Sequence, residues 1–191
     1  MRLRTNLEIY WDWLAIADDR SETPMQTARM APRRADLRYR GFSKTDFSRR
    51  EMPELPRYGE IANISARWRD LLGYYTRFGD VGELVQAVDD RYVIMNAGDE
   101  LQLSFAALPV PRDGWVRDFV LIGDGWEKDG DFNTTFSKTV LPLPSHDRPD
   151  YGASPAPHDL ELDPVYQRHS ADWRTYHTRF VTPSPFLAGL H

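Results

Sequence analysis

Arg91-Tyr-Val-Ile-Met-Asn96-Ala-Gly98-Asp-Glu-Leu-Gln-Leu-Ser-Phe105 carries the strongest structural signal in the chain. Leu101, Leu103 and Phe105 alternate with Gln102 and Ser104, a period of two that puts one face of a strand in a core and the other in water. Asn96-Ala-Gly-Asp99 supplies hairpin turn chemistry between two such runs, Arg91–Asn96 and Glu100–Leu108. A third apolar run, Trp115–Ile122, follows closely.

Outward from this centre the same rhythm recurs. Leu3, Thr5, Leu7, Ile9 and Trp11 alternate with polar residues and predict a first strand, extended in apolar character by Trp13, Leu14 and Ile16. This strand starts almost at Met1, so no leader is expected ahead of it. Residues 20–34 read as a long connection. Ala35–Phe42, with Leu37, Tyr39 and Gly41 alternating against charged residues, predicts a second strand. Pro53, Pro56 and Gly59 punctuate residues 43–60 as loop, and residues 61–73 are ambiguous. Asp80–Val88 predicts a short helix, with Asp80 as cap and Glu83 three residues on. Thr134–Leu143 predicts a last strand. Short strands, few helices and Pro/Gly-rich connections point to a mainly β fold: an antiparallel β-sandwich of jelly-roll or immunoglobulin-like kind, with one or two short helices.

Residues 142–191 differ in character, holding eight of the 14 prolines. Only Val165–His177 looks helical, with Pro164 at its start. The expected division is a β-sandwich domain over residues 1–144 and an extended C-terminal arm over 145–191, packed on the domain or on a partner.

The composition of the 191 residues narrows the function. There are 24 basic and 29 acidic residues, a net charge of −5, which disfavours a general nucleic-acid binder. The charge is uneven: 15 basic and 11 acidic residues over 1–79 give +4, and 9 basic and 18 acidic over 80–191 give −9. The absence of Cys removes disulfides, thiolate nucleophiles and Cys-type metal sites. No apolar run approaches a membrane span, so any membrane association would be peripheral. No apolar leader of the secretory kind is visible at the N-terminus.

Motifs for catalysis are missing: no GxSxG, GxGxxG, Walker loop or HExxH occurs. The carboxylate pairs Asp18-Asp19 and Asp89-Asp90 would serve acid–base chemistry only if the fold joined them in one cleft, and capping and solvation are the simpler roles. His169 and His177 stand about two helical turns apart and read as surface residues. Asp124, Asp129, Asp131 and Asn133 are oxygen donors of the kind Ca²⁺ takes, without EF-hand spacing; the competing reading is a turn satisfied by its own side chains. Twenty-four aromatic residues remain as candidate platforms for sugar rings or peptides, or as core.

Several strings occur in a familiar order. They are Arg4-Thr-Asn-Leu-Glu-Ile-Tyr-Trp-Asp12, Leu37-Arg-Tyr-Arg-Gly-Phe-Ser43, Tyr75-Thr-Arg-Phe-Gly-Asp-Val81, Asp89-Asp-Arg-Tyr-Val-Ile94 and Gly98-Asp-Glu-Leu101. Further on come Gly114-Trp-Val-Arg-Asp-Phe119, Gly125-Trp-Glu-Lys-Asp-Gly-Asp131, Thr139-Val-Leu-Pro-Leu-Pro144 and Tyr176-His-Thr-Arg179. Together they resemble the C-terminal region of bacterial ASPIC/UnbV-type, FG-GAP-repeat and related TPR proteins, akin to cartilage acidic proteins. The resemblance implies a β-rich, non-catalytic and often exported domain, with no active site to carry over. It sets export against the cytoplasmic location that the missing leader suggests.

The function expected from these observations is a non-catalytic accessory subunit within a larger complex. Its protein contact would lie on the arm and exposed aromatics: Trp13, Tyr151, Tyr166, Trp173, Tyr176 and Phe180. The alternative is a carbohydrate-binding module using aromatic platforms, with structural calcium at Asp124–Asn133. No organic cofactor is expected. A hydrolase with paired carboxylates ranks last.

Overall fold

The computed structural model describes residues 15–16, 23–47, 55–62, 71–128, 138–147 and 159–182. The expected first strand with Trp13, the arm residue Tyr151, and Asp129, Asp131 and Asn133 lie outside the described residues. The ladders found are all antiparallel and form one three-stranded and two two-stranded sheets, accompanied by two short α-helices.

Strand β1 (Arg34–Tyr39) is the centre of the three-stranded sheet. Its expected alternation holds at Ala35 and Leu37, which are fully buried between charged neighbours, and fails at Tyr39, expected on the same face and exposed instead. On one side it pairs with β6 (Asp99–Ser104), setting Ala35 opposite Leu103 and Leu37 opposite Leu101. On the other it pairs with β5 (Gly79–Asp80).

The hairpin expected around Asn96–Asp99 is corrected in part. The turn forms: Gly98 takes φ 85°, and the Asn96 and Asp99 backbones bond across it. A Cβ on Gly98 would stand 2.7 Å from the Tyr39 ring. Yet β6 ladders with β1, and Arg91–Asn96 carries no ladder. That segment instead runs between two cores. Tyr92 and Ile94 pack into one, and Val93 into the other. Its backbone is satisfied by Thr76, whose N–H donates to the Ile94 carbonyl (3.0 Å) and whose hydroxyl accepts from the Ile94 N–H (2.7 Å). Period two marks a two-sided environment there rather than a sheet.

Residues 43–60, read as loop, contain most of a hairpin of β2 (Ser43–Asp46) and β3 (Leu55–Ile61). Every residue of β3 is exposed, so no burial pattern betrays it. Pro56 is tolerated on a ribbon that, among the described residues, has no third strand to demand its missing N–H. Charges line it: Lys44 to Glu60 at 3.0 Å and Arg57 to Asp46 across the strands, and Arg57 to Glu60 along β3.

One core gathers Leu71, Tyr75, Val140, Leu143, Val165 and Trp173. The other gathers Ala35, Leu37, Val81, Leu84 and Tyr176. The described part of the C-terminal region thus packs on the body through both. Its expected single helix is broken at His169 into α1 (Pro164–Arg168) and α2 (Ser170–Thr175). Asp163, fully buried, caps α1: Oδ1 accepts from the Val165 (2.8 Å) and Tyr166 N–H, and Oδ2 accepts from Leu143 N–H. Strand β7 (Arg179–Val181) pairs with β4 (Gly73–Tyr75). Gly82–Val85 forms a 3₁₀ turn where a helix over 80–88 is expected, with Asp80 Oδ1 accepting from Gly82 N–H. Of the strand expected over 134–143, the described part makes only a parallel bridge from Thr139 to Leu72. Trp115–Ile122 carries no ladder.

Candidate functional site

Two segments distant in sequence, Ser145-His146 and α1 through Arg168, converge on Asp90. Asp90 Oδ1 accepts from the backbone N–H of His146 (3.0 Å) and faces its Nδ1 (2.9 Å). Asp90 Oδ2 accepts from the Ser145 hydroxyl (3.0 Å) and from Arg168 of α1 (2.8 Å). Across the ring, His146 Nε2 faces Asp124 Oδ2 at 2.8 Å. Trp126, half-exposed, stands edge-on to the imidazole at 6.1 Å. Arg168 also reaches Asp147 at 3.1 Å.

Each ring nitrogen of His146 needs a proton to donate to a carboxylate, so the pair of contacts suits the imidazolium. The Asp90 and then the Asp124 hydrogen bonds hold the His146 pKa above its ordinary value. For Asp90, burial pushes the pKa up, but the His146 and Ser145 hydrogen bonds and the Arg168 charge outweigh it and leave the carboxyl lowered. Lys128 follows in the same segment; burial lowers its pKa to about 8, and Nζ donates to the Leu141 carbonyl.

Both ring nitrogens face carboxylates, and the Ser145 hydroxyl donates to Asp90, not to the ring. Of the expected calcium donors, Asp124 is engaged by His146. Among the described residues no group of three or more His, Asp or Glu is placed to hold a metal ion. Of the Asp89-Asp90 pair, only Asp90 enters the cluster; Asp89 accepts from Arg91 N–H at 2.9 Å.

The expected contact aromatics are placed as follows. Trp173 and Tyr176 are buried in the chain's own two cores. Tyr166 is half-buried, edge-on to Trp173 at 5.6 Å. Phe180 is exposed and meets Tyr74, its register partner, at 4.9 Å. His177, expected on the surface, is buried instead. The Thr76 oxygen accepts from Ile94 N–H, so its hydroxyl proton points to His177 Nδ1 at 3.0 Å. Burial lowers the His177 pKa to about 4, and the ring is held neutral.

Among the described residues, a run of apolar side chains is exposed. Val110 is 89% exposed, Val116 86%, Phe119 77%, Val120 87%, Leu121 78% and Ile122 77%. From Trp115 to Lys128 the chain makes no turn, bend or ladder among the described residues, and Asp124 in this segment is held by His146. No family model, curated protein or solved structure matches the chain. Among the described residues, no helix is long and apolar enough to cross a membrane.

Proposed function

We propose that the protein is a non-catalytic interaction module, an accessory subunit that binds another protein through the apolar ribbon at residues 116–122. The observation that carries this reading is the exposure of five apolar side chains within seven residues. Burying such a side chain stabilises by roughly 1.5–3 kcal/mol. Five of them reach the scale of the 4–15 kcal/mol or so that association costs. The reading moves the contact from the arm to the ribbon, because Trp173 and Tyr176 are occupied within the chain. It keeps the β-sandwich architecture and the ASPIC/UnbV-type resemblance as parts of the proposal; the one-sided burial of β1 supports the first, and the motif order supports the second.

The test is assembly of the full chain in its own cells. Native complexes isolated with the wild-type chain should be lost with Phe119→Ser and Leu121→Ser together, while far-UV circular dichroism stays unchanged. An unaltered complex would place the contact elsewhere.

A second reading, carbohydrate binding, is favoured by one observation. Trp126 offers an exposed ring beside Asp124, His146 and Arg168, a combination of apolar face and charged hydrogen-bonding groups suited to a sugar. Saturable glycan binding lost in Trp126→Ala would establish it.

A further inference from the structure

His146 ties Asp124 to Asp90. Nδ1 faces Asp90 Oδ1 at 2.9 Å and Nε2 faces Asp124 Oδ2 at 2.8 Å. A ring donates at both nitrogens only as the imidazolium. The neutral ring keeps one N–H and turns a lone pair toward the other carboxylate, which repels it. One of the two contacts must therefore open when the proton leaves, and the surroundings of the two carboxylates decide which. Asp90 is held independently of the ring: Oδ1 also accepts from the His146 backbone N–H (3.0 Å), and Oδ2 accepts from the Ser145 hydroxyl (3.0 Å) and from Arg168 (2.8 Å). Its side chain is only 11% exposed, so little water is at hand to replace a lost donor. The Asp124 side chain is 37% exposed, and water can take the place of Nε2–H there. Among the described residues, the charged groups around the ring are Asp90 and Asp124, which touch it, Arg168 of α1, which bridges Asp90 and Asp147, and Asp147 itself, next in the chain.

We infer that His146 is a pH-operated clasp: on losing its proton the ring keeps Asp90 and lets go of Asp124, parting the chain around Asp124 from residues 145–147. The Asp90 and then the Asp124 hydrogen bonds hold the His146 pKa above its ordinary value, so the clasp is shut within and below the ordinary histidine range and opens above it. Asp124 follows the exposed apolar run by two residues, so the state of the clasp sets how the end of that run is held. Lys128, four residues further on, titrates nearby: burial lowers its pKa to about 8. Its neutral amine still donates to the Leu141 carbonyl, so that contact survives the loss of the charge.

The test measures a distance across the clasp in the full chain. The sequence has no Cys, so spin labels attach only where cysteines are introduced. Gly125→Cys, where an added Cβ meets nothing within 4 Å, and Arg174→Cys, exposed on α2, place one label on each side. Between pH 6 and pH 9.5 the distribution of label–label distances should move outward and broaden. Its midpoint should coincide with that of the His146 ring resonances, followed by NMR in the same protein. In an Asp124→Asn background the amide accepts from a protonated Nε2 and donates to a neutral one. The distribution should then keep its pH 6 form throughout, although Lys128 still titrates. A wild-type distribution that does not move across the His146 titration overturns the clasp. A movement that persists in Asp124→Asn overturns it as well, because the movement then belongs to another group.

Discussion

Lowering the pH should strip stability from this protein through His177. The ring is 4% exposed, accepts from the Thr76 hydroxyl through Nδ1, and lies edge-on to Trp173 at 4.7 Å. Its pKa is near 4 in the folded chain, against an ordinary value of 6.5. A folded-state pKa below the unfolded one means that the unfolded chain takes up the proton first. Stability is therefore full above about pH 6.5 and falls as the pH drops from there toward 4. A difference of about 2.5 units, at 1.36 kcal/mol per unit, gives a total loss of about 3 kcal/mol, of which roughly 2 is gone by pH 5. Protonation would also cost the Thr76 hydroxyl its acceptor. The assay is guanidinium unfolding at pH 7 and pH 5 of the wild type and of His177→Asn, whose side-chain oxygen can still accept from Thr76. The variant should be less stable at pH 7, because a buried ring is lost, but should lack most of the wild type's fall between the two pH values. Taking the difference between the two proteins cancels every other titrating group. Equal falls in both would refute the assignment of the acid sensitivity to His177.

The His146 cluster should respond in the opposite sense. Its pKa is raised by Asp90 and Asp124, so its contribution is present below the ordinary histidine range and fades as pH rises through the folded value. The imidazole resonances of His146 should titrate above 6.5, and Asp124→Asn should bring the midpoint down; an unshifted midpoint in that variant would remove Asp124 from the cluster. Gly73→Ala should destabilise by about 1–3 kcal/mol, measured by thermal unfolding, since φ is +151° there and the new methyl would stand 2.9 Å from Val140 Cβ inside the first core.

What could be read from the sequence was local, and what could not was long-range. The alternation of Ala35 and Leu37, the Gly98 turn and the Pro164 start of α1 each depend on a few adjacent residues, and each formed as expected. Pairing partners do not. Arg91–Asn96 and Asp99–Ser104 have the pattern of a hairpin, yet β6 joins β1 some sixty residues back, because both faces of the earlier segment are claimed by separate cores. The β2–β3 ribbon was hidden by its exposure, since a strand without a buried face leaves no period-two trace. His146 gave no motif signal, as its partners Asp90 and Asp124 are 56 and 22 residues away. His177 could be recognised as buried only once Thr76 was placed beside it, 101 residues earlier in the chain.

The contrast between polar and apolar groups argues most directly for a binding role. Among the described residues, every buried side-chain nitrogen and oxygen has a hydrogen-bond partner. Asp163 caps a helix, Asp99 receives Arg179, and Thr76 joins three segments. Partly satisfied polar networks are the costly ones, and the described part of this chain leaves none. Its apolar surface is treated differently. Phe119-Val-Leu-Ile122 is left in water although the two cores are built from equivalent residues, and such a run is an aggregation hazard when it stays bare. If the exposure were merely tolerated, Val120→Lys would improve solubility at no cost to the protein's role. If the ribbon is a binding surface, the same substitution would improve solubility and abolish assembly. Measuring both quantities on that one variant separates a defect from a function.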